Sequence, residues 1–276
     1  MDSNIIKILE ENEIQFCKNW SRRIIKFEHK FITFYNKELA DDYFFNRTIL
    51  NENLILELKN RDEGKNTIHS LFHFLNDLKI PLFLHLKSNQ NILNQNILDK
   101  LKKIDDIFGL LYYNVDNLKN IKKLDISRKS CTATKIEIVT DCFKLIDWVD
   151  TYCLSFGIGL GKKNLIYEIL KEKLNDFIFI LSRLDDLSDH GIVYTGCCIL
   201  FTYKSSIALY CLGTKKAYRN QNIASDIIEY SIKFGESIGC NIFGLQTLKS
   251  DSLLSFYIKR GFVKVYESSI FKYSDS

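Results

Sequence analysis

The chain has 276 residues, 46% of them apolar, and a formal net charge of +4; that is length for two ordinary domains or one large one, and enough apolar material for packed cores. No apolar run approaches the roughly 18 residues that span a bilayer, and Met1-Asp2-Ser3-Asn4 lacks the basic opening and apolar core of a secretory signal. The small basic excess is interspersed with acidic residues, so the composition points to a cytoplasmic globular protein with neither a nucleic-acid nor a membrane partner.

In chain order, residues 30–35 read as a strand, 67–79 as a helix, 82–86 as a strand, 97–103 as a helix and 109–115 as a strand, with Pro81 in the turn between helix and strand. From about Asn117 to Thr134 the composition turns polar and basic, which reads as a connector. Beyond it, 136–139 reads as a strand, 141–156 as a helix, 177–181, 192–203 and 207–212 as strands, 222–238 as a helix and 242–248 as a strand. A short helix around Tyr257 and a strand over 263–271 close the chain. The fold class is therefore mixed α/β, divided into an N-terminal domain over 1–125, a connector over 126–134 and a C-terminal domain over 135–276.

Several motifs are set aside. Gly157-Ile158-Gly159-Leu160-Gly161-Lys162-Lys163 is glycine-rich, but Phe156 stands where a phosphate loop requires glycine and Lys163 where it requires Ser or Thr; a turn is expected. His69 and His73 share a helix face but lack the Glu and third ligand of a metal site, so no metal is expected. The eight cysteines show no Cys-x-x-Cys pair and read as reduced thiols, and the adjacent Cys197 and Cys198 point to opposite faces of a strand. Asn46-Arg47-Thr48 matches a glycosylation sequon that has no use in a cytoplasmic protein.

Two segments carry chemistry. The first, Leu212-Gly213-Thr214-Lys215-Lys216-Ala217-Tyr218-Arg219-Asn220-Gln221-Asn222-Ile223-Ala224, is a strand end, a loop and a helix start. Apolar residues at Ile223, Ile227, Ile228, Ile232 and Ile238 place the helix start near Asn222. An opening helical turn has free N–H groups and a positive partial charge, which suits phosphate. Arg219 adds a permanent cation of fork geometry, Ala224 lets an anion approach the backbone, and Asn222 tolerates positive φ. The second segment is Ser250-Asp251-Ser252-Leu253-Leu254-Ser255-Phe256-Tyr257-Ile258-Lys259-Arg260-Gly261-Phe262, a helix that stops at Gly-Phe.

Together these segments resemble the GNAT acetyltransferase superfamily. Arg219-x-x-Asn222-x-Ala224 is similar to its coenzyme A loop, Gln/Arg-x-x-Gly-x-Gly/Ala, with Asn in place of the central Gly. Phe256 to Phe262 is similar to its closing Phe-Tyr-x-Lys-x-Gly-Phe pattern. The whole chain resembles tandem-GNAT proteins with a degenerate N-terminal copy, to which Tyr43-Phe44-Phe45-Asn46-Arg47 is also similar.

The resemblance implies acetyl-CoA as donor, bound by Leu212, Gly213, Thr214, Arg219, Asn220, Gln221, Asn222, Ile223, Ala224 and Ser250, with Leu212 and Thr214 offering main-chain groups to the pantetheine arm. It implies Tyr257 as the acid that protonates the leaving thiolate. A backbone N–H near Leu212, where the strand splays, is expected to stabilise the oxyanion. The acceptor is expected to be a small-molecule amine or a peptide; a non-catalytic acyl-CoA sensor or scaffold is the alternative. No carboxylate lies between Ser206 and Gly213, which leaves Asp189, His190 or water as the base.

Overall fold

A computed structural model of the chain describes residues 2–27, 30–51, 63–87, 101–112, 134–185 and 191–273. In chain order its elements are α1 (Ser3–Trp20), β1 (Arg23–Phe27), β2 (Phe31–Tyr35), β3 (Arg47–Leu50), α2 (Glu63–Asp77), β4 (Phe83–Lys87) and β5 (Leu101–Tyr112). There follow β6 (Lys135–Ile138), α3 (Cys142–Phe156), α4 (Lys163–Lys171), β7 (Ile178–Asp185), β8 (Ile192–Tyr203) and β9 (Ser206–Thr214). The chain closes with α5 (Ile223–Ser237), β10 (Ile242–Leu248), α6 (Leu254–Ile258) and β11 (Phe262–Tyr273). The fold is mixed, with largely antiparallel strands and helices, as expected. Except for Thr134, the expected connector over 126–134 lies outside the described residues.

The chain divides into two compact units. One holds Met1–Glu13, Leu110–Gln246 and Phe256–Val263, the other Ile14–Gly109, Thr247–Ser255 and Lys264–Ser276. In the first unit the strands run in the order β10-β9-β8-β7-β6, with β9 and β10 parallel and the other neighbours antiparallel. Helix α3 lies on this sheet through Leu145, Trp148, Val149 and Tyr152. Trp148 is fully buried and its indole N–H donates to the Cys198 carbonyl at 3.0 Å. Cys198 turns its thiol to Ser231 on α5, 3.9 Å away, while the Cys197 thiol approaches the Cys211 carbonyl at 3.9 Å. The chain start joins the same unit: Asn12, fully buried on α1, donates to Ser206 Oγ and the Phe201 carbonyl and accepts from the Tyr210 hydroxyl.

The second unit orders its strands β1-β2-β3-β4-β11, with β5 next to β11. Its main core joins α2 (Leu71, Phe72, Leu75) to Phe31, Leu84 and Leu86. Asn46 is buried and engaged with Asn36 and Leu39, so the sequon there is a structural turn.

One expectation is corrected. Leu101, Lys102 and Lys103 open a twelve-residue strand and do not end a helix; 97–100 lie outside the described residues. The cause is polar: Asp105 and Asp106 are buried in the middle of β5 and interrupt the apolar run that would have marked it. Asp106 accepts from Lys103 (2.6 Å), Ser269 (2.7 Å) and Lys249 (3.2 Å). Burial alone would raise its pKa, but these partners outweigh it and hold the carboxyl below the usual range. Helix α1, strands β1 and β3, and helix α4 had no counterpart in the sequence reading.

Candidate functional site

The end of strand β9 departs from regular pairing at two points. Against β10 it pairs in parallel from Ser206↔Ile242 to Leu209↔Leu245, where the ladder ends while β9 continues to Thr214. Against β8, Cys197 faces Gly213 and Ile199 faces Tyr210, so Cys211 and Leu212 together oppose the single residue Cys198. That is a β-bulge, and Cys211 carries its cost with φ at +54°. β9 thus leaves β10 after Leu209, earlier than the splay expected after Leu212, and it stays paired with β8 through Thr214 beyond the bulge at Cys211–Leu212.

Two glycines hold this strand end and the start of α5 in place. A Cβ on Gly213 would meet Ser155 Cβ at 2.7 Å and Phe156 Cε2 at 2.8 Å, so β9 lies directly on the last turn of α3. A Cβ on Gly196 would meet Ile223 Cγ2 at 2.9 Å, so the first residue of α5 rests on β8. Between these anchors the chain makes a turn over Lys216–Tyr218, then passes through Asn220 and Asn222, both with φ at +64°. The side chain of Asn222 makes no capping bond. The N–H groups of Ile223, Ala224 and Ser225 therefore have no intrahelical partner, and Asn220, Gln221 and Asn222 beside them are exposed. These residues suit a diphosphate: main-chain donors, a small residue at 224 and a nearby cation.

Arg219 is partly engaged. Its Nη2 donates to the Ser155 carbonyl at 2.9 Å and its Nε to the Thr214 carbonyl at 3.3 Å, tying the loop to α3 and to the end of β9. Two of the five N–H donors of the guanidinium are used in this way. Lys215 turns toward α3. Burial lowers its pKa, with Asp150 and Asp147 opposing that shift, and its N–H extends the β8 ladder to the Thr195 carbonyl at 2.9 Å. Asp150 also pairs with Lys163 at the start of α4.

Tyr257 belongs to the same unit. It sits on the five-residue helix α6, buried at 5% exposure, with its ring edge-on to Phe256 (5.1 Å) and Phe262 (5.9 Å). Ser250 belongs to the other unit, where its hydroxyl and its N–H both donate to Asp105. Asp189 and His190 lie outside the described residues. The glycine-rich stretch is the expected turn: Gly157 ends α3 with φ at +68°, and a 3-10 turn over Leu160–Lys162 leads into α4. His73 is exposed on α2, and the side chain of His69 lies outside the described residues. Among the described residues, no group of three His, Cys, Asp or Glu is placed to hold a metal, and no helix is long and apolar enough to cross a membrane.

Sequence reading missed the contacts made by Gly196, Gly213, Ser155 and Arg260. Isolated glycines inside two strands were a readable sign that another backbone or side chain approaches there.

No family model and no curated protein matches the sequence. By fold, solved structures do match. A GCN5-related N-acetyltransferase from Kribbella flavida superposes with a TM-score of 0.63 at 12% identity, over 98% of this chain and 96% of that one. A GCN5-related N-acetyltransferase from Sphaerobacter thermophilus gives 0.61 at 9% identity, over 98% and 90%. A conserved protein of unknown function from Staphylococcus epidermidis gives 0.60 at 16% identity, over 91% and 94%. By its backbone, then, over nearly its whole length, the chain has the fold of the GNAT superfamily.

Proposed function

We propose that the chain is an acetyl-CoA-dependent N-acetyltransferase acting on a primary amine. The observation that carries this reading is the conjunction, in one unit, of a bulged strand end at Cys211–Leu212, an uncapped helix start at Asn222 and a buried tyrosine on α6. Fold neighbours described as N-acetyltransferases support it.

The thioester donor supplies an acetyl carbon open to attack by a neutral amine. The residues divide the remaining work. The first-turn N–H groups of α5, with Arg219, bind the diphosphate. Leu212 and Thr214 offer main-chain groups to the pantetheine arm, and an N–H near Leu212 stabilises the oxyanion, an effect worth about 10²–10³-fold where it has been measured elsewhere. Tyr257 supplies a proton to the departing sulfur and regains one from solvent, and the attacking amine loses one to solvent. Gly213, Asn220, Gln221, Asn222, Ile223 and Ala224 form the cradle itself. The acceptor class is a small amine or a peptide N-terminus.

The test is thiol release from acetyl-CoA with amino acids, spermidine and a lysine-containing peptide as acceptors. Tyr257→Phe is expected to lower kcat by about 10²–10⁴-fold while leaving the Kd for acetyl-CoA within threefold, roughly the pattern of a lost general acid. Unchanged turnover removes Tyr257 from the chemistry. A second reading, an acyl-CoA sensor, draws on the lack of any carboxylate along β9 up to Gly213. Binding of acetyl-CoA without thiol release from any acceptor would favour it.

A further inference from the structure

Arg260 stands two residues beyond the end of α6 and, among the described residues, hydrogen-bonds to both α5 and α6. Its Nε and Nη2 donate to the hydroxyl of Ser225, at 3.1 and 2.6 Å, and its Nη1 donates to the Phe256 carbonyl at 2.8 Å. Its guanidinium carbon lies over the Phe256 ring, 3.4 Å from the centroid. Ser225 belongs to the first turn of α5, the turn that carries the uncapped N–H groups. Phe256 is the residue before Tyr257, and the two rings meet edge to face.

A helix of five residues has no stability of its own, so the placement of α6 is set by what holds it. The fork of Arg260 grips α6 at the Phe256 carbonyl and α5 at Ser225 at the same time. The planar, bidentate geometry is specific to arginine; a lysine ammonium presents a single point of attachment.

The geometry points to Arg260 as the positioning residue for Tyr257. By clamping α6 to the first turn of α5, it fixes the tyrosine relative to the turn that receives the diphosphate. The inference rests on the reading of Tyr257 as the acid. Arg260 touches neither donor nor acceptor in this account, and its effect on turnover passes through Tyr257.

The full-length protein is tested as Arg260→Ala, Arg260→Lys and Ser225→Ala, each also in the Tyr257→Phe background. The assay is thiol release from acetyl-CoA with the most active acceptor of the amine panel, or with water where no amine is active. Calorimetry with CoA and thermal melting accompany it. Arg260→Ala is expected to lower kcat by about 10–100-fold, the scale of a misplaced catalytic group, with the Kd for CoA changed by less than about threefold. Arg260→Lys recovers little of the loss. In the Tyr257→Phe background the same change costs less than about threefold, because the group it positions is already gone.

If Arg260→Ala does not fold, Ser225→Ala carries the test, with an expected loss in kcat of about 3–10-fold and a normal melting profile. A tenfold or greater loss of CoA affinity with kcat intact would overturn the inference and make Arg260 a phosphate ligand. An equal loss in both backgrounds would overturn it and leave a general structural role. Full activity of Tyr257→Phe alone removes the acid and this inference together. Full activity of the Arg260 and Ser225 variants, beside an impaired Tyr257→Phe, removes the clamp only.

Discussion

Helices α3 and α5 lie in the same unit and begin in opposite ways. At the start of α3, Asp141 is extended (φ −145°, ψ 167°) and its carboxylate accepts from the N–H groups of Phe143 and Lys144 at 2.8 and 2.9 Å. At the start of α5, Asn222 sits at φ +64° and its side chain caps nothing, while a cation stands three residues before it. The first helix brings its own anion, covalently attached. The second presents the same kind of donors with no capping side chain of its own. A residue that could cap is present at both positions, so what separates them is backbone conformation: the left-handed turn at 222 is not the extended geometry from which a side chain caps.

The contrast predicts different consequences for the two ends. Arg219→Glu, which puts a fixed negative charge beside the uncapped turn, is expected to weaken CoA binding by about 100-fold or more, and calorimetry reads it directly. An unaltered isotherm would mean that the α5 turn is not the binding end. Asp141→Ala should act on stability alone, lowering the free energy of unfolding in urea by about 1 kcal/mol and leaving CoA affinity unchanged. If it weakened CoA binding as much as the Arg219 change, the distinction between the two helix starts would disappear.

The smallest effect concerns Asp226, in the first turn of α5. Burial raises its pKa, Thr134 pulls it back and Glu229 adds to the rise. A carboxyl whose folded pKa lies above its unfolded value of about 3.9 contributes most to stability when protonated, and that contribution is lost as pH rises through the folded value. Asp226→Asn should therefore melt like the parent near pH 3.5 and at a slightly higher temperature at pH 7. A difference that grows toward acid pH would reverse the sign of the argument.

How far the sequence revealed these features depended on range. The start of α5 was legible because Ile223, Ile227 and Ile228 repeat at helical spacing and are all buried, and because asparagine is among the few residues that accept the left-handed turn found at 222. Strand β8 was read to the residue, as a long apolar run between polar breaks. Strand β5 was partly misread because its paired buried aspartates look like surface residues until Lys103, Lys249 and Ser269 are seen around Asp106. The bulge at Cys211 leaves no mark in local periodicity, since it is defined by its register against β8. Arg260 and Ser225 lie 35 residues apart, and no pattern within either segment ties them together. Short-range physics thus located the candidate site, while the contacts that shape it are set by pairing across the fold.

The engagement of Asn12 limits how this protein can be cut. Its amide satisfies Ser206 and the Phe201 carbonyl, its oxygen takes the Tyr210 hydroxyl, and Leu9 one turn earlier fills the space that Gly244 leaves on β10. A fragment starting at residue 135 would keep every residue from Leu212 to Ala224 and lose all of these partners. Each polar group stranded in this way costs about 1–3 kcal/mol, so the smallest piece that keeps these contacts is a discontinuous one, joining the first turns of the chain to residues 135–276.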